Sequence, residues 1–472
     1  MSGCRYWTAA LLSAAIMSLG RESLAGPPIP PDAPVDGLLK AYIERESAHF
    51  SWTDQGTVEL PTAARLLAPL ASARLLDVVS QEWRGAPWHH RVLIISPAVS
   101  APHRAPNGAA LLFITGSGKI DQMLPLAMPT VQLLGIPCAI LMDVPNQPLL
   151  KELDPKGKGF KEDALIATTL AEFAKSGDPD WPLLVPMTRA AVAAMDAVSE
   201  WSKKQEAATW PWGAIEKFVV GGASKRGWTT WLTGAMDSRV SAIVPIVYDN
   251  LNIREQLALQ REQYQGGYSE KIHDYVERGL FEMIDTPRGI QALTLIDPWT
   301  YRDQLHIPAF MLLATNDEYW AAGGITKYIK GLSNPAWPFY VTNQGHSMGG
   351  GLPISAVVAF VEAGLGARPL PPVASMTVEA GLVRVRCNAG AGAPKPVSVK
   401  VWWAASNDAD MRDESWAALE AQPAPGDGGE WTAQLPTAPE GATRRSVTAE
   451  VQLDDPAGRY SVFAPLHVLT ER

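Results

Sequence analysis

Three side chains far apart in this chain have the types and order needed for nucleophilic chemistry on a carbonyl. The first is a serine, Ser224, within residues 215–236. A β-rich run, Phe218-Val219-Val220, stops at two glycines, and the turn Gly222-Ala223-Ser224-Lys225-Arg226-Gly227 leads into a helix-like segment. Strand, sharp turn of small residues, serine, helix is the order of a nucleophile elbow. The glycines are needed because the turn strains the serine backbone, and side chains at Gly222 and Gly227 would collide with the adjoining strand and helix. The second glycine comes one position later than in G-x-S-x-G, and a serine capping an ordinary helix gives the same local pattern. The remainder of the chain decides between the two.

A hydroxyl becomes a nucleophile when a base takes its proton and an acid orients the base. On an elbow of this kind the acid follows the serine at the end of a later strand, and the histidine follows the acid. Asp317, after the apolar run Ala309–Thr315, fits best; Asp249, after Ala242–Tyr248, and the neighbouring Glu318 are alternatives. Of the eight histidines only His346 and His467 follow Asp317, and His467 falls in a β-rich tail. His346, in Asn343-Gln344-Gly345-His346-Ser347-Met348 after the strand-like Phe339–Thr342, is the expected base. The oxyanion would take a hydrogen bond from the Lys225 backbone N–H and another from the loop Gly116-Ser117-Gly118. Lys225 and Arg226 either bias the pocket toward an anionic group or lie solvated and paired beside the elbow. Trp228, Trp231 and Trp320 either line an aromatic pocket or belong to the core.

Elements able to hold these groups recur in order. After a helix around Gly37–Ala48, the strand-like runs Arg74–Arg84 and His89–Ser96, joined by Gly85-Ala86-Pro87, read as an antiparallel pair. His89 and His90 are adjacent in the second run and face opposite ways, which makes a poor metal pair. Short apolar strands then alternate with helices: Ala109–Thr115, Pro137–Asp143, Lys217–Val220, Ala242–Tyr248, Ala309–Thr315 and Phe339–Thr342. That alternation predicts an α/β class: an α/β-hydrolase fold, a mostly parallel sheet with helices on both faces. Insertions near Pro145–Pro186 and Asn250–Pro298 interrupt the alternation as helical cap insertions; the second leaves the sheet just after a strand's C-terminal end, where sites of open sheets lie. Beyond the linker Gly364–Pro372, short alternating runs predict a small antiparallel β-sandwich, immunoglobulin- or fibronectin-like in plan. The expected division is residues 1–25, 26–366 and 373–472.

The chain has 472 residues, 47% hydrophobic and 19% charged, with a formal net charge of −9. That length allows two or three domains, and the acidic balance argues against a nucleic-acid or anionic-membrane surface. Gly116-Ser117-Gly118-Lys119 is followed by Ile120 and lacks P-loop spacing. Arg5, the apolar run from Tyr6 to Leu19, and Ser23-Leu24-Ala25 read as an export signal over residues 1–25. No later run is long enough to span a bilayer. Cys4 would leave with the signal, and Cys138 and Cys387 are expected as buried thiols. No His-Glu or cysteine cluster has metal-ligand spacing, so neither metal nor cofactor is expected.

The chain resembles the PhoPQ-activated pathogenicity-related (autocrine proliferation repressor-like) family. The likeness is carried by residues 143–148 (DVPNQP), 181–187 (WPLLVPM), 194–197 (AMDA), the 222–227 elbow, Asp297-Pro298 before Tyr301-Arg302, Asn316-Asp317-Glu318 and Gly345-His346-Ser347. It implies a secreted α/β-hydrolase domain followed by a β-sandwich, a triad on Ser224, Asp317 and His346, and an elbow of the form G-x-S-K-x-G. Glu318-Tyr319-Trp320 departs from the phenylalanine pair usual in that family. The reading is a secreted or periplasmic serine hydrolase acting by acyl transfer on a peptide or carboxylic ester. The alternative is a non-catalytic secreted binding or signalling protein on the same scaffold. Oligomeric state has no signature in the sequence.

Overall fold

The computed structural model describes residues 28–62, 71–98, 106–350, 352–388, 392–426, 429–456 and 458–471, so the expected export segment lies outside the described residues. Among the described residues nine strands form the central sheet: β1 (Ser51–Thr57), β2 (Ser72–Trp83), β3 (Ala86–Ser96), β4 (Ala109–Ile114), β5 (Cys138–Leu141), β6 (Lys217–Ala223), β7 (Val240–Ile246), β8 (Ala309–Ala314) and β9 (Ala336–Val341). Their spatial order is β1-β2-β3-β5-β4-β6-β7-β8-β9. β1 to β3 are antiparallel, β3 meets β5 antiparallel, and β5-β4-β6-β7-β8-β9 run parallel. The connection between β2 and β3 is tighter than expected: Arg84 and Gly85 both take positive φ (55° and 74°), a turn whose twist matches a hairpin. β1 is mostly polar and exposed, with Trp52 alone of its side chains half-buried against the core, which is why no apolar alternation marks it.

Helices cover both faces. They are α1 (Leu38–Glu46), α2 (Ile120–Leu134), α3 (Glu162–Ser176), α4 (Leu184–Ser202), α5 (Lys225–Met236), α6 (Ile253–Gln263), α7 (His273–Val276), α8 (Pro287–Ile296) and α9 (Ile354–Gly364). Alternation along β3 shows the layering. Leu93 and Ile95 pack with Leu124, Met128 and Val131 of α2. Val92 and Ile94 join the larger cluster containing α4 and α5. β5 is apolar throughout because Cys138 and Ile140 face one layer while Ala139 and Leu141 face the other.

Both expected insertions lie over the sheet's C-terminal edge. α3 stands on the first, and α6, α7 and α8 on the second. Tyr275 Oη donates to Asp163 Oδ1 at 3.0 Å, tying the two together. The segment preceding α1 fastens α8 from outside, with Arg288 and Gln291 donating to the Ile29, Pro30 and Ala33 carbonyls.

After α9 the chain forms two antiparallel sheets, β10 (Val373–Glu379), β11 (Leu382–Asn388), β15 (Glu430–Gln434) and β14 (Gln422–Pro423) in one, and β13 (Ala417–Glu420), β12 (Lys395–Ser406), β16 (Arg444–Asp454) and β17 (Tyr460–Phe463) in the other, with β18 (His467–Thr470) also on β16. Val383, Val385, Val399, Val401, Val447 and Val451 share one apolar cluster between them, the core of a β-sandwich. The expected single strand Arg459–Val468 is broken at Ala464-Pro465-Leu466, where proline cannot donate to a ladder. The same cluster includes Phe310, Trp337 and Phe360, and Phe339 meets Phe463 edge-on at 4.9 Å, so the sandwich packs directly on the β8–β9 side. Cys138 and Cys387 are buried and unpaired, and burial pushes each thiol up to about 12.

Candidate active site

Ser224 stands between β6 and α5 with φ 57° and ψ −120°, a conformation disfavoured for any side-chain-bearing residue. Two backbone bonds hold it: Ser224 N–H donates to the Ile246 carbonyl at 2.8 Å, and its own carbonyl accepts from Trp228 N–H at 3.0 Å. The glycines are explained by what surrounds them. A Cβ at Gly222 would lie 2.7 Å from the Arg226 carbonyl of the helix, and one at Gly227 would lie 3.0 Å from the Ile246 carbonyl of the strand. The late second glycine therefore marks where α5 crosses β7.

Two loops converge on this turn. His346 Nε2 lies 2.9 Å from Ser224 Oγ. His346 Nδ1 lies 2.9 and 2.8 Å from the two Asp317 oxygens. Asp317 also accepts from Tyr319 N–H at 2.9 Å, and its side chain is 6% exposed. Burial raises the Asp317 carboxyl, and the bond to His346 opposes that rise. Glu318 does not touch the imidazole. Its Oε2 accepts the backbone N–H of His346 at 2.7 Å, and a Cβ at Gly345 would lie 2.7 Å from its Oε1. Burial works upward on Glu318 too, but hydrogen bonds from backbone N–H groups, His346's among them, hold its carboxyl below the ordinary range. Asp249 bonds elsewhere: Tyr328 Oη donates to it at 2.6 Å, and burial pushes it up to about 7.

The expected oxyanion donors are arranged as follows. Lys225 is the first residue of α5, where a backbone N–H has no intrahelical acceptor. Ser117 N–H is already given to Thr115 Oγ1 at 3.1 Å, which leaves the glycine N–H groups on either side of it as the candidates in that loop. A Cβ at Gly116 would run into the Arg226 guanidinium, so any larger residue there would displace that side chain.

That guanidinium belongs to a clasp not anticipated from the sequence. Arg226 donates to the Val144 carbonyl at 2.6 Å and to both Glu162 oxygens at 2.8 and 2.9 Å. Lys225 Nζ lies 2.7 Å from Asp163. Burial alone would raise Glu162, but the Arg226 fork holds it at about 2. Both cations are thus consumed in fixing α3 of the cap to the elbow, and neither is solvated. The signal was present as complementary doublets, Glu162-Asp163 and Lys225-Arg226, without a means of pairing them. A second missed element is the loop after β12. Asn316 Nδ2 donates to the Arg412 and Glu414 carbonyls at 3.1 and 2.7 Å. Asn343 exchanges two hydrogen bonds with the Trp416 backbone, at 3.0 and 2.7 Å.

Beside Ser224 the cap roofs a cavity of about 100 Å³. Trp228 stacks on Tyr248 with centroids 5.3 Å apart, and Tyr248 meets Trp320 edge-on at 5.6 Å; all three line it. Trp231 is fully buried in the core instead. Among the described residues no group of three or more His, Cys, Asp or Glu side chains is placed to hold a metal ion, and no helix is long and apolar enough to cross a membrane.

The strand order, the strained serine at a strand-to-helix turn and the cap over the C-terminal edge define an α/β-hydrolase fold. The chain belongs to the PhoPQ-activated pathogenicity-related protein family, whose model matches residues 39–413. It is 28% identical over 395 residues to autocrine proliferation repressor protein A of Dictyostelium discoideum, covering 79% of this chain and 75% of that protein. Solved structures similar to it include an acetyl xylan esterase from Paenibacillus sp. R4, 14% identical with a TM-score of 0.46 over 71% of this chain and 96% of that one. A glucuronoyl esterase from Solibacter usitatus is 13% identical with a TM-score of 0.39 over 73% and 89%.

Proposed function

We propose that this protein is a serine hydrolase that cleaves a carboxylic ester or amide through an acyl-enzyme on Ser224. One observation carries the reading: an unbroken hydrogen-bonded line from the Ser224 hydroxyl through His346 to Asp317, with the hydroxyl on a strained turn. In the first step His346 Nε2 takes the serine proton as Oγ attacks the carbonyl carbon. Asp317 accepts from Nδ1–H, fixes the ring and stabilises the imidazolium. The tetrahedral oxyanion takes its hydrogen bonds from Lys225 N–H and from the glycine N–H groups of the 116–118 loop, each such donor being worth on the order of 3 kcal/mol. His346 then gives its proton to the leaving alcohol or amine, and water repeats the sequence on the acyl-enzyme.

A fluorophosphonate probe tests this. Wild type should label on Ser224, and Ser224→Ala should abolish both labelling and turnover. Absent labelling of wild type, or labelling that survives Ser224→Ala, would leave a hydrolase scaffold used for binding, the reading favoured by the relative named as a proliferation repressor.

A further inference from the structure

The cavity beside Ser224 has an unusual inventory. Its wall away from the serine is built by the cap, from Leu257, Ile272, Phe281, Ile284, Leu293 and Ile296. The polar groups that reach it are nearly all spoken for. Lys225 and Asp163 neutralise one another at 2.7 Å, and Asp163 also accepts from Tyr275. Gln260 donates to the Tyr319 carbonyl and accepts from Ser269 N–H, both at 3.0 Å. The indole N–H groups of Trp228 and Trp320 are given to the Ile296 and Val247 carbonyls. Among the described residues the polar groups left over are neutral: the buried Tyr248 hydroxyl with Asn250 beside it, and the Tyr319 phenol. A carboxylate or ammonium entering this space would lose its water without gaining a countercharge, and a sugar would leave most of its hydroxyls unpaired.

Given the serine-hydrolase reading above, on which this rests, we infer that the cavity is the acyl pocket and that the substrate carries an uncharged, apolar acyl group of about four carbons. The acyl side is assigned because that group stays on Ser224 while the leaving group must depart and water must enter. A site roofed by two cap segments suits the part that stays. The size follows from volume: about 100 Å³ here, against roughly 150 Å³ for a dry protein cavity that accepts benzene.

Chain length and charge test it. Burial of each methylene should raise kcat/KM about fourfold, so p-nitrophenyl butyrate, two methylenes longer, should exceed the acetate by roughly fifteenfold, with the decanoate gaining nothing further. The p-nitrophenyl hemisuccinate, of butyryl length but anionic, should fall at least tenfold below the butyrate. Ala292→Phe, which fills the cavity from α8, should lower the butyrate-to-acetate ratio severalfold. A flat or falling series from acetate to butyrate, or hemisuccinate matching butyrate, overturns the pocket assignment. Binding to Ser224→Ala needs no turnover and separates the two readings. Butyrate ester binding at least tenfold more tightly than hemisuccinate supports an apolar pocket even in a protein that fails to label. Equal binding rejects the pocket even in one that does.

Discussion

The turns after β7 and β8 begin alike and end differently. Both strands are parallel neighbours in the sheet, and each is followed within three residues by a buried aspartate, Asp249 and Asp317. Asp249 finds a phenol, Tyr328, and no cation, and burial leaves it with its carboxyl up at about 7. Asp317 sits in a loop stitched to the histidine loop on several sides. Asn343 N–H donates to Thr315 Oγ1 at 2.8 Å, Asn316 N–H to the Gln344 carbonyl at 3.0 Å, and His346 N–H to Glu318. Ser269 Oγ donates to the Glu318 carbonyl from the cap, and the sandwich grips Asn316 and Asn343 from the other side. Which carboxylate meets the imidazole is therefore decided by which loop the histidine loop is tied to. Position at a strand end admits both.

The sharpest way to break this asymmetry is Asp317→Asn. It keeps the shape but presents an amide to Nδ1, and kcat should fall by about 10⁴ with KM little changed. A fall of less than tenfold would mean that Asp249 or Glu318 can take over, and the two turns would be equivalent after all. Next in size are the seats on the sandwich. Asn343→Ala and Asn316→Ala remove bonds that hold the two loops without touching either ring or carboxylate. Small misplacements of reacting groups cost rate steeply, so each should lose roughly ten- to hundredfold in kcat. KM for the same ester should stay within about threefold, since the cavity lies on the cap side. A kcat equal to wild type in Asn343→Ala would show that the sandwich leaves the histidine loop alone.

The parts legible in the sequence were those with a local signature. Core strands read clearly because burial on both faces leaves no polar position, as in β5. The elbow read because strain and close approach demand glycine at Gly222 and Gly227 in the chain itself. His346 came from order along the chain. What stayed hidden depends on pairings between distant segments. The Arg226–Glu162 fork spans 64 positions and the Asn343–Trp416 exchange 73, and nothing near either residue names its partner. β1 escaped for the opposite reason. It is a mostly exposed edge strand, held by its ladder to β2 and by the single apolar side chain of Trp52, which makes no alternating face. Order along the chain favours Asp317 over Asp249, but the bonds that tie the histidine loop to the Asp317 loop belonged to the hidden class.

The mildest perturbation sharpens the comparison from the other turn. Asp249→Asn should leave kcat within about threefold, because Asp249 makes no bond to His346, and its effect should appear in stability against pH. In the folded protein the Asp249 carboxyl keeps its proton up to about pH 7, whereas in an unfolded chain it releases it near 3.9. Between those values the native state binds more protons than the unfolded one, so this group's contribution is fully present below about pH 4 and is lost as pH rises through 7. Asparagine has no proton to lose. The variant amide also faces the Ile325 N–H that the carboxylate accepts from, which adds an offset that does not vary with pH. The slope is therefore the discriminating quantity. Melting temperatures at pH 4.5, 6 and 8 should show the wild type descending relative to the variant as pH rises. A difference that stays constant across that range would mean that Asp249 is ionised in the fold, and that its turn differs from that of Asp317 only in lacking a histidine.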